Sequence, residues 1–108
     1  MNEQKKRSLA SMIGLCKKAG HAVCGTELVC EALRRGDKKV RLVIGAQDAS
    51  DNTKKKLTDK CAYYGTKIIF VPLTAEELGG AVGKSGATAA VGITDAGLAE
   101  ATEKKLNL

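Results

Sequence analysis

Few residues in this chain have the type and spacing that chemistry would require. The segment Gly79-Gly80-Ala81-Val82-Gly83-Lys84-Ser85 comes nearest, because it ends in the Gly-Lys-Ser of a phosphate-binding loop. Such a loop also needs a glycine at the fifth position before Gly83, so that consecutive backbone amides can wrap a nucleotide's phosphates. That position holds Leu78. The context differs as well. A phosphate-binding loop follows a strand and opens a helix, whereas the pattern here places the motif after a helix and before a strand. Nucleotide hydrolysis is therefore not the expected activity, although Lys84 remains suited to the phosphate of a nucleic acid.

The other candidates are weaker. His21 is the only histidine, follows the glycine expected to end the first helix, and has no Ser, Cys or carboxylate partner at a meaningful spacing. Asp48 follows an expected strand, where α/β enzymes place catalytic carboxylates, but an aspartate there more commonly accepts hydrogen bonds from turn amides. Glu76 and Glu77 fall in the first turn of an expected helix, which the helix dipole favours without further function. Cys16, Cys24, Cys30 and Cys61 contain no Cys-x-x-Cys pair, so neither a metal site nor a disulfide framework is indicated. Reduced structural thiols are expected, with Cys16 and Cys61 acting as small hydrophobes on helix faces. No catalytic residue, metal or cofactor is predicted.

Charge carries more information. Eighteen Lys and Arg against twelve Asp and Glu give a net charge of +6, which draws the chain toward polyanions. The cations cluster: Lys5 to Arg7, Lys17 and Lys18, then Arg34, Arg35, Lys38, Lys39 and Arg41, then Lys54 to Lys56. With Phe70, Tyr63 and Tyr64 as the only aromatics, a reader that stacks successive bases of a single strand is disfavoured. Recognition of a folded nucleic acid by shape suits the composition better.

At 108 residues the chain is expected to be a single domain, residues 1–108, large enough to bury a core without staples. No apolar run approaches membrane-spanning length, and Met1 to Arg7 is polar and basic with no signal-like stretch behind it. A soluble protein that is not exported, hence cytoplasmic, is the expectation.

The elements that must position any site alternate regularly. Leu9, Met12, Ile13 and Cys16 recur at helical spacing, with Gly20 placed to end the helix. A second helix is predicted from Thr26 to Arg35, with Leu28, Val29, Ala32 and Leu33 as its buried stripe and Gly36 as its C-cap. Val40 to Ile44 reads as a covered strand. Ser50 or Asp51 can cap a third helix bearing Leu57, Cys61 and Tyr64 on one side. Ile68 to Val71 is predicted as a buried strand that includes Phe70 and is closed by Pro72. Thr74 and Glu77 then form a capping box for a helix containing Leu78, Ala81 and Val82. After the loop Lys84 to Ala87, Thr88 to Ile93 reads as a strand, and Asp95 caps a last helix with Leu98, Ala101, Thr102 and Leu106 inward. A further strand at Ala22 to Cys24 is left open by three residues. The fold class is α/β, with helices on both faces of one sheet.

Three segments also resemble a known family, in order and at its spacing. Gly25-Thr26-Glu27-Leu28-Val29-Cys30-Glu31-Ala32-Leu33-Arg34-Arg35-Gly36 is similar to the RNA-contacting helix of the ribosomal L-seven-Ae/L-thirty-e proteins, which bind kink-turn RNA. Leu42 to Ala49 resembles that family's second signature, and Leu78 to Gly83 its Leu-Gly-x-Ala-x-Gly helix. Asp48 to Lys56, with Thr58 to Cys61 and Tyr63-Tyr64, resembles its bacterial stand-alone branch.

The resemblance implies a three-layer α-β-α sandwich with a mixed sheet of about four strands. It implies non-enzymatic binding of a structured, sharply bent RNA, ribosomal or otherwise kinked, with the ribosome itself among the partners it suggests. Neither a membrane nor DNA is an expected partner. By the same resemblance the binding residues are Gly25, Thr26, Glu27, Leu28, Glu31, Arg34 and Arg35, with Lys84, Ser85, Gly86 and Ala87 from the loop. A glycine at a helix start lets backbone amides approach phosphate closely. Apolar loop residues such as Ala87 and Ala89 suit a flipped-out base.

Three positions depart from the pattern. Family members from archaea and eukaryotes begin the helix with Asn-Glu and carry a lysine three residues later, where this chain has Glu27, Leu28 and Glu31. An ionised glutamate only accepts hydrogen bonds, Leu28 accepts none, and Glu31 should repel phosphate. Two other classes remain as alternatives: a basic protein-interaction adaptor of the translation machinery, and a nucleotide-binding enzyme.

Overall fold

The computed structural model describes residues 2–36 and 38–106. Helix α1 (Glu3–Lys18) starts where the Asn2 side chain accepts from the Lys5 amide, and it buries Leu9, Ile13 and Cys16. Strand β1 (Ala22–Cys24) follows and settles the three-residue ambiguity. Helix α2 (Thr26–Arg35) and strand β2 (Leu42–Ala46) come next. Ser50 caps helix α3 (Asp51–Tyr64), which leads to strand β3 (Lys67–Val71). Thr74 and Glu77 form the expected capping box of helix α4 (Ala75–Ala81). Strand β4 (Ala90–Ile93) and helix α5 (Ala96–Leu106) complete the chain, α5 opening where Asp95 accepts from the Leu98 amide at 2.9 Å.

The four strands form one mixed sheet in the order β1-β4-β2-β3. β4 is antiparallel to both β1 and β2, while β2 and β3 run parallel. Alternate residues of β2 face opposite ways, as a pleated strand requires. Leu42, Ile44 and Ala46 meet α1, α4 and α5 in one core, with Val91 and Ile93 of β4. Val43 points to the other side, where Val29 and Leu33 of α2 and Leu57 and Cys61 of α3 cover it. The result is the three-layer α-β-α sandwich that the alternation and the resemblance implied.

Two expectations about burial are corrected. Leu28 does not belong to the buried stripe of α2, since it is 59% exposed. Val29 and Leu33 face the sheet four residues apart, which leaves Leu28 roughly 100° round the helix, toward solvent. Phe70 is not buried either, at 37% exposed. β3 is an edge strand, and Phe70 lies over its neighbour Gly45, where a β-carbon would stand 2.5 Å from the ring. Without a side chain at Gly45, the ring rests on the sheet margin and faces the Lys54 ammonium 5.8 Å away.

Three strands also have other limits than expected, β3 only by starting one residue earlier, at Lys67. β2 starts at Leu42, where pairing with β3 and β4 begins, and runs on through Gly45 and Ala46. β4 starts at Ala90, because the Thr88 amide is drawn out of the ladder to the Ala75 carbonyl at 2.9 Å.

Candidate functional site

The sheet topology brings four chain segments together at one end of the molecule. β4 runs against β1 and β2, so its beginning lies beside the ends of both. The backbone ties them closely. Gly25 N–H donates to the Ala90 carbonyl at 2.8 Å, and Ala46 N–H to the Ala89 carbonyl at 2.9 Å. Gln47 N–H reaches the Leu73 carbonyl at 2.9 Å, which fixes the exit of β3 beside that of β2. Asp48 accepts from the Ala75 amide at 2.7 Å and so anchors the start of α4. Its hydrogen-bonding role is the one expected, but across 27 residues of chain instead of within its own turn.

The start of α2 differs from the other helix starts in this fold. Asn2, Ser50 and Thr74 each place a side-chain oxygen on an amide of the following helix, whereas Gly25 provides no side-chain cap. The first-turn amides of α2 therefore point outward with the positive end of the helix dipole and no anionic partner from their own cap. Gly25 holds φ at +102°, a backbone angle that an L side chain rarely adopts.

The 84–87 loop folds back over this point. Its path depends on Gly79, where an added β-carbon would collide with the Gly86 carbonyl oxygen. Lys84 N–H is fastened to the Gly79 carbonyl at 2.8 Å. The Lys84 ammonium consequently stands 3.7 Å from the position a Gly25 β-carbon would take. Two positive features, an uncapped helix start and an ammonium, thus occupy one spot. Ser85, Gly86 and Ala87 are exposed beside them, and Ala89 is half-buried.

The remaining expected residues are distributed around α2. Thr26 is half-buried at the helix start, and Glu27 reaches across to α3, where Lys56 Nζ meets its carboxylate at 2.7 Å. That carboxylate holds the Lys56 ammonium pKa above its ordinary value, through their hydrogen bond first. Leu28 and Glu31 lie along another side of α2, lining a shallow groove with Val23, Arg35 and Lys38. Glu31 binds Arg34 at 2.6 Å, which blunts the negative charge that the sequence placed there. Arg34 and Arg35 sit in the last turn of α2, roughly 13 Å from Gly25 at 1.5 Å per residue. The fold thus gathers Gly25, Thr26, Glu27 and the 84–87 loop, and it leaves Arg34 and Arg35 at the far end of the helix.

Lys56, paired with Glu27, and Gly79, beneath Gly86, border this candidate site and were not among the residues expected there. Lys56 stood in a lysine run whose orientation only the α2–α3 packing decides. Gly79 had a visible signal, the glycine pair within a helical segment, but its contact lies in the loop beyond. Among the described residues no group of His, Cys, Asp and Glu could hold a metal ion, and no helix is long and apolar enough to cross a membrane. The four cysteines are free thiols, three of them buried.

Known proteins carry the same frame. The chain is 36% identical over 104 residues to the RNA-binding protein YlxQ of Enterococcus faecium, covering 96% of both chains. It is 40% identical over 88 residues to the RNA-binding protein YlxQ of Bacillus subtilis, covering 82% of this chain and 84% of that one. A solved structure of a protein of unknown function from Bacillus halodurans superimposes with a TM-score of 0.82 at 34% identity, over 93% of this chain and 97% of the other. The Giardia lamblia 15.5kD RNA binding protein shares the fold at a TM-score of 0.73 and 22% identity, over 99% of this chain and 88% of that chain. The model of the ribosomal protein L7Ae/L30e/S12e/Gadd45 family matches residues 7–103, and the chain belongs to that family.

Proposed function

We propose that this protein binds structured RNA, without catalysis, through the start of α2 and the 84–87 loop, as one domain acting in the cytoplasm. The observation that carries the reading is the Lys84 ammonium above Gly25 at an uncapped helix start. Amides at a helix start are suited to phosphate, and a nearby ammonium gains from an anion placed between them. The two YlxQ relatives, named as RNA-binding proteins, support the same ligand class.

The finer reading is a kink-turn, in ribosomal RNA or another RNA of the translation machinery. A sharp bend brings phosphates of two strands near one protein end, which suits a site built from a helix start and a loop beside it. Glu27, held by Lys56, and exposed Leu28 leave base reading at these positions weaker than backbone contact. Binding should therefore depend on shape and charge more than on base identity.

The test is equilibrium binding of a kink-turn RNA and a straight duplex of equal length, titrated across salt. Preference for the bent RNA, with affinity falling as salt rises, is the expected result. Equal affinity for both removes the kink-turn. No affinity for either at low salt removes RNA binding altogether and favours a protein partner for the basic surface.

A further inference from the structure

Helix α3 carries a stripe that the proposed site does not use. Lys56, Lys60 and Tyr63 recur at intervals of four and three residues, so they fall on one side of the helix. With Asp59 and Tyr64 they line an open hollow along the outside of α3. Tyr63 is 81% exposed, the most exposed of the large apolar side chains among the described residues. It is held upright against the half-buried ring of Tyr64, with centroids 4.8 Å apart and planes 82° to one another. The ring of Tyr63 is thus open on its outer side and held beside the lysines of the same helix face, the arrangement that a stacked base and its phosphate require.

Charge selects the occupant. α3 has four lysines against two aspartates, and the carboxylates nearby are already engaged. Asp59 holds Lys55 at 3.0 Å and Glu27 holds Lys56 at 2.7 Å. Lys60 has no ion pair among the described residues. With Lys55 and Lys56 in those pairs, Lys60 is the cation of the stripe left to attract an acidic strand, and no unengaged carboxylate of the hollow opposes it. The stripe is also continuous with the proposed site, since Lys56 touches Glu27 two residues from Gly25. From Lys56 to Tyr63 the helix rises roughly 10 Å, enough for about two nucleotides.

We infer that the Lys56–Lys60–Tyr63 stripe of α3 is a second RNA contact, holding one or two unpaired nucleotides that flank the structured element seated at Gly25 and Lys84. Lys60 takes a phosphate and the exposed Tyr63 ring takes the face of a base. Stacking on an aromatic ring is tolerant of base identity, so the contact adds affinity without sequence preference. One exposed ring limits it to a nucleotide or two, in keeping with a chain too poor in aromatics to track a long single strand. The inference rests on the proposed RNA-binding function.

The test compares a kink-turn RNA with blunt ends against the same RNA carrying a short unpaired oligouridylate extension, placed at one end and then at the other. The parent protein should bind one of the extended RNAs roughly tenfold more tightly than the blunt one. Tyr63→Ala should abolish that gain and leave the blunt RNA unaffected, Tyr63→Phe should keep it, and Lys60→Ala should reduce it. Tyr63 is a surface residue, so these variants should fold, and melting temperatures confirm it. Equal binding of blunt and extended RNAs by the parent overturns the stripe alone, and leaves a protein as its partner. A loss in Tyr63→Ala that is the same for blunt and extended RNA also overturns it. Failure of the parent to bind any of these RNAs removes the underlying function, and the stripe with it.

Discussion

The ammonium of Lys84 and the backbone of Gly25 meet at the start of α2, with Nζ 3.7 Å from where a Gly25 β-carbon would be. Two residues far apart in sequence thereby form one positive point. Replacing Lys84→Ala should weaken RNA binding and leave the fold intact, because the side chain is exposed. If Lys84 meets one phosphate, the slope of log K against log salt should fall by roughly 0.7 to 0.9. An unchanged slope in a variant of normal melting temperature would show that Lys84 faces solvent only.

Gly25→Val tests the other half of the same contact. The β-carbon would stand in contact with Lys84 Nζ and cover the helix start, and the φ of +102° adds strain of about 1–3 kcal/mol for any L side chain. Melting temperature should drop and RNA affinity should drop further than the stability loss accounts for. A folded variant with full affinity would mean that RNA does not approach the start of α2.

Gly79 supports the loop from beneath. In Gly79→Ala the new methyl meets the Gly86 carbonyl oxygen, which is backbone and cannot swing away. The 84–87 loop should lift, lowering RNA affinity although residue 79 is buried and touches no RNA itself. Amide exchange that quickens at residues 84–87 and stays slow in β2 would locate the damage in the loop.

Much of this architecture was legible in the sequence because its signals are local. The Thr74 and Glu77 capping box, the Thr26–Arg35 helix and its closure at Gly36 depend on neighbours within four residues. Residues whose surroundings come from distant chain were not. Phe70 reads as a buried strand residue until β3 proves to be the edge and Gly45 its neighbour. Leu28 reads as part of a stripe until the packing of Val29 and Leu33 fixes which way α2 is turned. The site follows the same division. Gly25 and the 84–87 loop were marked by motif, whereas their juxtaposition and the Glu27–Lys56 pair arise from topology.

The capping box predicts a pH dependence. Hydrogen bonding from the Thr74 amide, and then the Lys6 ammonium, hold the Glu77 carboxyl below its ordinary value of 4.5. A carboxyl depressed in the folded state contributes stability that is fully present above the unfolded value and is lost as pH falls through the folded one. Lys6, raised by Glu77, contributes in the opposite sense, and its share is lost only at pH above 10.5. Thermal unfolding of Glu77→Gln should therefore fall less steeply with acid than that of the parent below about pH 4.5. Thr74→Ala should cost about 1 kcal/mol through the lost cap. Parallel acid profiles for parent and Glu77→Gln would show that neither the Thr74 amide nor Lys6 holds the Glu77 carboxylate in solution.

The departures at Glu27, Leu28 and Glu31 give the sharpest test of what the site reads. Glu27 is engaged by Lys56 and Glu31 by Arg34, so both carboxylates are occupied before RNA arrives. Changing Glu27→Asn, Leu28→Glu and Glu31→Lys together restores the family's pattern at these positions. It also releases Lys56 and Arg34 to meet phosphate. All three side chains are exposed, so the fold should tolerate the change. Holding a base through two hydrogen bonds is worth about 1–3 kcal/mol in the DNA major groove, taken here as a scale. The triple variant should then prefer a kink-turn RNA over a straight duplex by roughly tenfold more than the parent does. The single change Glu31→Lys should raise affinity for both RNAs alike, because it alters charge without adding a base reader. If the parent already discriminates strongly and the triple variant adds nothing, the start of α2 contributes backbone amides only. Shape recognition would then lie with Lys84 and the loop, whose position over Gly25 none of the three substitutions alters.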